Sequence, residues 1–284
     1  MFKHYLITRF NLRHPNWKST KNNESLLNDA WMTHRMELFS NFCLPSVAAQ
    51  TNKNFKWIIF FDITTTPAFK EQILNLLKPY KHFIPLFIDG MDQFSPEIIN
   101  YIDEDAKNVD YIISSRIDND DCIHKNYINE IQLKFNYQDF LAIDVIKGYS
   151  LQISPNFYLG EKMHLFNPFI SLIESKKNYK TVFQGTHANW KTERRMMRIS
   201  DKPLWLSIIH DKNKVNEFDG YNHVEWKDIK SDFVLSETMD TKIENNITPF
   251  KEWRFLSFKN KIHGNFVLLS KLMKIKIGLY NLKK

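Results

Sequence analysis

Tyr111-Ile112-Ile113-Ser114-Ser115-Arg116-Ile117-Asp118-Asn119-Asp120-Asp121 changes character in its middle. Its first half is apolar and β-branched, the composition of a strand buried in a sheet. Its second half is acidic and cannot continue into a core. Carboxylates this close in sequence repel one another and persist at low cost only in water or around a cation. In an open α/β sheet, ligands bind beyond the carboxyl ends of the strands, so an acidic cluster at such an end reads as a cation site. Hard oxygen donors suit Mg²⁺ or Mn²⁺, ions that keep several waters and take further ligands from a bound phosphate. The stretch therefore predicts a nucleotide-diphosphate substrate.

The sequence on the amino side of this stretch alternates strands and helices. His4 to Phe10 reads as the first strand, breaking at Asn11 into a Lys/Asn-rich loop with Pro15. Trp31 to Gln50 carries apolar residues at helical spacing with Pro45 as an interruption, which predicts a helix, a kink and a further turn. Trp57-Ile58-Ile59-Phe60-Phe61 is continuously apolar, the mark of a parallel strand buried on both faces. It ends at Asp62, ahead of Thr64-Thr65-Thr66-Pro67, a helix entry. Asp62 either accepts hydrogen bonds from a ribose or base or caps the next helix. A helix from Phe69 to Leu77, a strand from Phe83 to Ile88 and a helix from Pro96 to Lys107 complete the alternation. Neither a dinucleotide fingerprint nor a P-loop appears, so phosphate would be held by metal and cationic side chains.

Beyond Asp121, a helix near Lys125 to Phe135 precedes strand-like Phe140 to Ile146, Tyr149 to Ile153 and Phe157 to Leu159, read as antiparallel strands at the sheet's far side. Gly185 to Trp190, with His187, forms a polar turn before Lys191, Arg194, Arg195 and Arg198, a basic run read as a solvated helix face. Pro203 to Ile209 is an apolar strand ending in His210. Phe250 to Lys284 mixes aromatic and aliphatic residues with lysines and one acidic residue, Glu252, the pattern of a basic amphipathic helix. It serves either as a closing helix on the sheet or as a peripheral membrane anchor. A mixed case has Trp253 to Phe258 packed and Phe266 to Lys284 peripheral.

The chain has 284 residues, enough for one large α/β domain with an appendage, and 43% hydrophobic residues, which exclude a disordered chain. Its net charge of +7 fits nucleic acid, an acidic membrane or anionic substrates, and the excess of Lys, Asn and Ile equally fits a codon bias. Cys43 and Cys122 have no metal-ligand spacing and no disulfide framework, which points to a reducing compartment. No run approaches the roughly 20 apolar residues of a membrane span, and no leader-like segment opens the chain. A cytoplasmic protein is expected, with any membrane contact peripheral to the inner face.

Arg116-Ile117-Asp118-Asn119-Asp120-Asp121 resembles the Asp-x-Asp motif of GT-A glycosyltransferases, in the Arg-hydrophobic-Asp-x-Asp-Asp form of a bacterial rhamnosyltransferase family. His4 to Asn11, Leu38 to Gln50, Trp57 to Asp62, Asn167 to Glu174 and Pro203 to Asn213 resemble the same family in the same order, up to the mid-220s. Arg35 matches a family arginine. The resemblance implies a GT-A-like nucleotide-diphospho-sugar transferase fold over residues 1–226: an α/β, mostly parallel sheet flanked by helices. Residues 227–284 would be a C-terminal helical extension. It implies transfer of a sugar, rhamnose by family name, from a nucleotide-sugar donor bound with Mn²⁺ or Mg²⁺ to a saccharide or glycolipid hydroxyl. Such a reaction belongs to surface polysaccharide or lipopolysaccharide synthesis. Thr8, Arg9 and Phe10 would meet the nucleotide with Asp62 and Arg116. Asp118 would contact ribose or metal, Asp120 would chelate the cation, and Asp121 and His210 would complete the shell. Asn167 to Glu174 would open a helix below the acceptor pocket, and Glu174, His187 and Glu193 are the candidate bases. Two other classes stay open: a metal-dependent phosphohydrolase or nucleotidyltransferase, and a non-enzymatic module that binds anionic surfaces. Nucleic acid is not an expected partner.

Overall fold

The computed structural model describes residues 1–14, 27–185, 189–213 and 217–281. The Pro15 loop, His187 and the last three residues of the tail lie outside them. The first half of the chain forms β1 (Phe2–Arg9), α1 (Asp29–Leu38), α2 (Leu44–Ala48), β2 (Lys56–Asp62), α3 (Pro67–Leu77), β3 (Phe83–Ile88), α4 (Phe94–Asp105), β4 (Tyr111–Arg116), β5 (Cys122–Ile123) and α5 (Tyr127–Gln132). The second half adds strands β6 (Phe140–Val145), β7 (Lys147–Gln152), β8 (Tyr158–Met163), β9 (Ser171–Ser175), β10 (Met196–Ile199) and β11 (Trp205–Ile209). Helices α6 (Trp226–Ile229), α7 (Glu237–Asn246) and α8 (Phe250–Lys276) follow.

Seven strands make the main sheet in the order β10-β6-β9-β4-β1-β2-β3. The pairs β4-β1, β1-β2 and β2-β3 are parallel, and β9 runs antiparallel between β4 and β6. The continuous apolar run of β2 is explained by its two faces. Trp57, Ile59 and Phe61 pack with Met32, Met36, Ile73 and Leu77 on one side, while Ile58 and Phe60 pack with Phe94, Ile98 and Ile102 on the other. The chain moves outward from β1 to β3 and then returns to place β4 on the other side of β1, so the strand order reverses between β1 and β4. That reversal is where an open α/β sheet leaves a crevice at its carboxyl end. The architecture is the α/β, mostly parallel sheet with a long C-terminal helix that the sequence predicts.

Three elements differ from expectation. Asn167 to Glu174 does not open a helix: Ser171–Ser175 is β9, buried between β4 and β6. Its partners lie tens of residues away, so tertiary pairing decides its conformation. The hairpin β7-β8 does not lie at the far side of the main sheet but joins a second sheet, β5-β11-β7-β8. Trp205 of β11 stacks on Phe169 there, with centroids 5.1 Å apart. Gly148 of β7 makes room for it, since an added Cβ would come within 2.2 Å of the indole. The basic run is not a helix face; it crosses a short 3₁₀ turn and enters β10. Trp31 to Gln50 does form a helix with an interruption, a π turn over Phe39–Cys43 that leads into α2 and Pro45.

Residues beyond 226 share a core with the second sheet. Trp226, Ile229, Met239 and Ile243 pack with Leu151, Leu206 and Ile208. Helix α8 follows and lies along the body for its whole length, so its second half is packed as well as its first: Leu268 and Ile275 rest on a cluster that contains Ile146, Leu165 and Phe166. Cys43 and Cys122 are free and buried. Among the described residues no helix is long and apolar enough to cross a membrane.

Candidate active site at the carboxyl end of the sheet

The end of β1 and the acidic turn after β4 are stitched together across the crevice. Ile117 N donates to Ile7 O at 3.2 Å, Thr8 Oγ1 to Ile117 O at 3.0 Å and Asn119 Nδ2 to Phe10 O at 3.2 Å. Thr8 also accepts from Trp57 Nε1, and Phe10 packs on Phe39 and Phe61. These two side chains therefore hold the crevice wall from within. Arg9 is half-buried; burial lowers its pKa and the nearby Asp118 charge works against that shift.

Beyond Asp121 the chain enters β5, which pairs antiparallel with β11 through Leu206↔Cys122. This short ladder explains how residues 90 apart meet. Asp121 Oδ1 accepts the Ile208 N–H at 2.9 Å, and two residues later His210 Nε2 lies 3.2 Å from Asp120 Oδ2. From the other side α1 delivers Arg35, whose Nη1 donates to Asp120 Oδ2 at 2.6 Å and to Asn119 Oδ1 at 3.2 Å. The preceding His34 brings its Nε2 within 3.4 Å of His210 Nδ1. Asn213 fixes His210 from below: its Oδ1 accepts the His210 N–H at 2.7 Å, and its Nδ2 sits 3.0 Å from Nε2.

The three motif carboxylates have different environments. Asp118 is the accessible one, its side chain 42% exposed and 3.5 Å from Arg116 Nη2. For Asp120, burial opposes ionisation, but the Arg35 charge and the contacts to His210 and Arg35 outweigh it and hold the carboxyl well below the usual range. Asp121 moves the other way: burial first, then the charges of Asp120 and Asp118, push it well up. Asp121 thus straps the motif to β11, and Asp120 is the buried group kept ionised. Burial, followed by the His210 charge, lowers the His34 imidazole to about 4. Arg116 is buried, with its guanidinium 5.1 Å from the Phe183 ring centroid and its Nε without a hydrogen-bond partner.

Asp62 closes the crevice at the end of β2, but not as a cap of α3, whose N-cap is Thr66. Its carboxylate accepts from Arg13 N at 3.0 Å, Arg13 Nε at 2.8 Å, Thr64 N at 3.0 Å and Thr64 Oγ1 at 2.7 Å. Burial is again opposed and outweighed by these hydrogen bonds, so its pKa falls. Arg13 reaches on to Asp89 at the end of β3.

Two candidate bases lie elsewhere. Glu174 pairs with Ile112 at the amino end of β4, the opposite end of the sheet from the motif. Both its oxygens are taken by backbone, Lys180 N at 3.0 Å and Thr181 N at 2.9 Å. Glu193 forms a two-pronged ion pair with Arg195, which lies over Phe140 at that same end. His187 lies outside the described residues. Sequence reasoning did not single out His34, Arg13 or Asn213, because nothing in their local pattern reports the long-range contacts that place them.

The donors present fit a divalent cation. Asp120 Oδ2 and His210 Nε2 converge on one point, one an ionised oxygen and the other an imidazole nitrogen, and a mixed set of this kind suits Mn²⁺. His34, His210 and Asp211 also offer ligand atoms all within 4.8 Å of one another, a group that shares only His210 with the set named from sequence.

The fold defines an open, mostly parallel α/β protein with a second, smaller sheet. The sequence matches the family described as "Putative rhamnosyl transferase" over residues 3–220, and the chain belongs to that family. No curated protein sequence matches it. Among solved structures it is similar to residues 1–349 of S. aureus TarS, with 12% identity and a TM-score of 0.39 over 72% of this chain and 60% of that one. The same fragment in complex with UDP gives 13% identity and a TM-score of 0.40 over 73% and 60%. A putative nucleotide-diphospho-sugar transferase from Desulfovibrio desulfuricans gives 10% and 0.37 over 74% and 82%. The chain thus spans 60% of the length of those TarS fragments.

Proposed function

We propose that this protein transfers a sugar, rhamnose by its family, from a nucleotide sugar bound with Mn²⁺ or Mg²⁺ to the hydroxyl of a saccharide or glycolipid acceptor. The product would be a surface polysaccharide or lipopolysaccharide. The observation that carries the reading is the buried Asp120 in contact with Arg35 and His210 at the carboxyl end of β4, beside the point where the strand order reverses. When bound, the cation neutralises charge on the departing diphosphate. Asp120 and His210 would hold it, and exposed Asp118 would reach the ribose or the cation. Asp121 supports both by fixing β11. Arg116 and Arg9 would supply charge-assisted hydrogen bonds to phosphate oxygens. Asp62 serves the nucleoside side of the pocket by orienting Arg13 and the Thr64 turn. An inverting transfer also needs a base for the acceptor hydroxyl; Glu174 and Glu193 lie at the far end of the sheet, which leaves His187, outside the described residues, as the sequence candidate to test.

The test is turnover with a panel of nucleotide sugars and Mn²⁺. Release of nucleoside diphosphate that requires an added acceptor supports transfer. Acceptor-independent monophosphate release, or pyrophosphate formation from a nucleoside triphosphate and a sugar phosphate, would replace it with hydrolysis or nucleotidyl transfer.

A further inference from the structure

Helix α8 carries a second surface, beyond the matched family region and unused by the proposed transfer. Its inward face is fastened to the body along the helix. Trp253 packs on Tyr158 and Phe218, Ser257 Oγ accepts the Asn222 N–H at 2.9 Å, and Asn260 Nδ2 donates to Gly220 O at 3.0 Å. Nearer the end, Lys271 Nζ donates to Leu165 O at 3.2 Å. The opposite face presents Phe255, Phe258, Ile262, Phe266, Leu269 and Met273, each between 55% and 80% exposed. Steps of three and four residues put these six side chains on one stripe, about 27 Å long at 1.5 Å per residue. Single exposed apolar residues are ordinary, but a contiguous stripe on a helix already packed on its other side is an interaction surface.

Charge selects the occupant. Arg254, Lys259, Lys261, Lys274 and Lys276 flank the stripe, and Glu252 is the only acidic residue in Phe250–Lys276. A second copy of the chain seated there would press these cations against one another, whereas an anionic surface complements them. No described helix is long and apolar enough to cross a membrane, and a helix fastened to the body along one face offers the other to an interface plane.

We propose that α8 docks flat on an anionic bilayer, its apolar stripe inserted at the headgroup boundary and its flanking cations on lipid phosphates. The test is flotation of the full chain with vesicles of phosphatidylglycerol and phosphatidylcholine, against vesicles of phosphatidylcholine alone. Wild type partitions to the anionic vesicles about tenfold or more in preference, and high salt weakens the binding. Phe258→Glu with Phe266→Glu lowers that partition by about tenfold or more while the melting temperature holds, since both side chains are exposed. Lys259→Glu with Lys274→Glu removes the preference for anionic lipid with the stripe intact. Equal recovery of wild type and both variants overturns the proposal. So does a wild type that ignores vesicles and sediments as a dimer which the phenylalanine variant dissociates.

Discussion

Asp120 and Glu174 are both buried carboxylates of the main sheet, one beyond the carboxyl end of β4 and the other at its amino end. Asp120 is met by side chains, Arg35 and His210, that can exchange a contact with it for one with a ligand. Glu174 is met by the backbone N–H groups of Lys180 and Thr181, the latter fully buried with no solvent to turn to. Their electrostatics diverge accordingly: Asp120 is held low against its burial, whereas burial drives Glu174 up despite those two bonds. The partners of a buried carboxylate therefore tell a ligand-handling group from a structural one, where burial alone does not.

The largest effect expected from breaking this contrast is in Asp120→Asn. Loss of the ionised group should lower transfer activity by about a thousandfold, while the melting temperature falls only modestly, because the isosteric amide oxygen can still accept from Arg35 although the charge is lost. Turnover near wild type at saturating Mn²⁺ would remove Asp120 from the mechanism.

Glu174→Ala should behave in the opposite way. It strands the buried Thr181 N–H and should cost about 1–3 kcal/mol in denaturant melts, with kcat per folded molecule unchanged. A specific loss of kcat without destabilisation would return Glu174 to the list of bases.

Asp62→Asn sharpens the comparison by falling between these two. The new amide would face Arg13 and Thr64 donors, so both the melting temperature and donor affinity should drop, each by about 1–2 kcal/mol. Titration of donor alongside a thermal melt separates the two losses, and an unchanged donor affinity would leave Asp62 a purely structural role.

An effect confined to stability and resolved by pH is expected at Asp144 of β6. Burial, partly offset by the Phe166 N–H, raises its carboxyl from the ordinary carboxylate range to about 6. The folded state then binds the proton more tightly than the unfolded one. Stability from this group is complete below about pH 4 and is lost as pH rises through about 6, a fall of roughly 1–3 kcal/mol. Asp144→Asn should flatten that part of the stability profile, as read by urea melts across pH.

The strands around the crevice were legible because their chemistry is local. Phe83 to Ile88 and Trp57 to Asp62 are apolar runs with clear breaks, and both formed within a residue of expectation. The Ile-Asp-Asn-Asp transition fixed which end of the sheet carries the acidic cluster. Strand β9 was not legible, because an apolar run after Pro168 suits a helix or a strand and only its place between β4 and β6 decides. The contacts of Arg35, His34 and Arg13 depend on how α1 and the turn after β1 dock, which no spacing encodes. In α8 the outward stripe and the lysines could be read, whereas the inward face, set by Asn222, Gly220 and Leu165, could not.

The central claim is that Asp120 and its neighbours bind a nucleotide diphosphate together with a cation. It is tested most directly by the thermal stability of the full chain with a panel of nucleoside diphosphates, beginning with UDP, with and without Mn²⁺. At least one nucleotide is expected to raise the melting temperature only when Mn²⁺ is present, with the rise abolished in Asp120→Asn and retained from a lower baseline in Glu174→Ala. A rise that persists in Asp120→Asn, or that is indifferent to the metal, would contradict it.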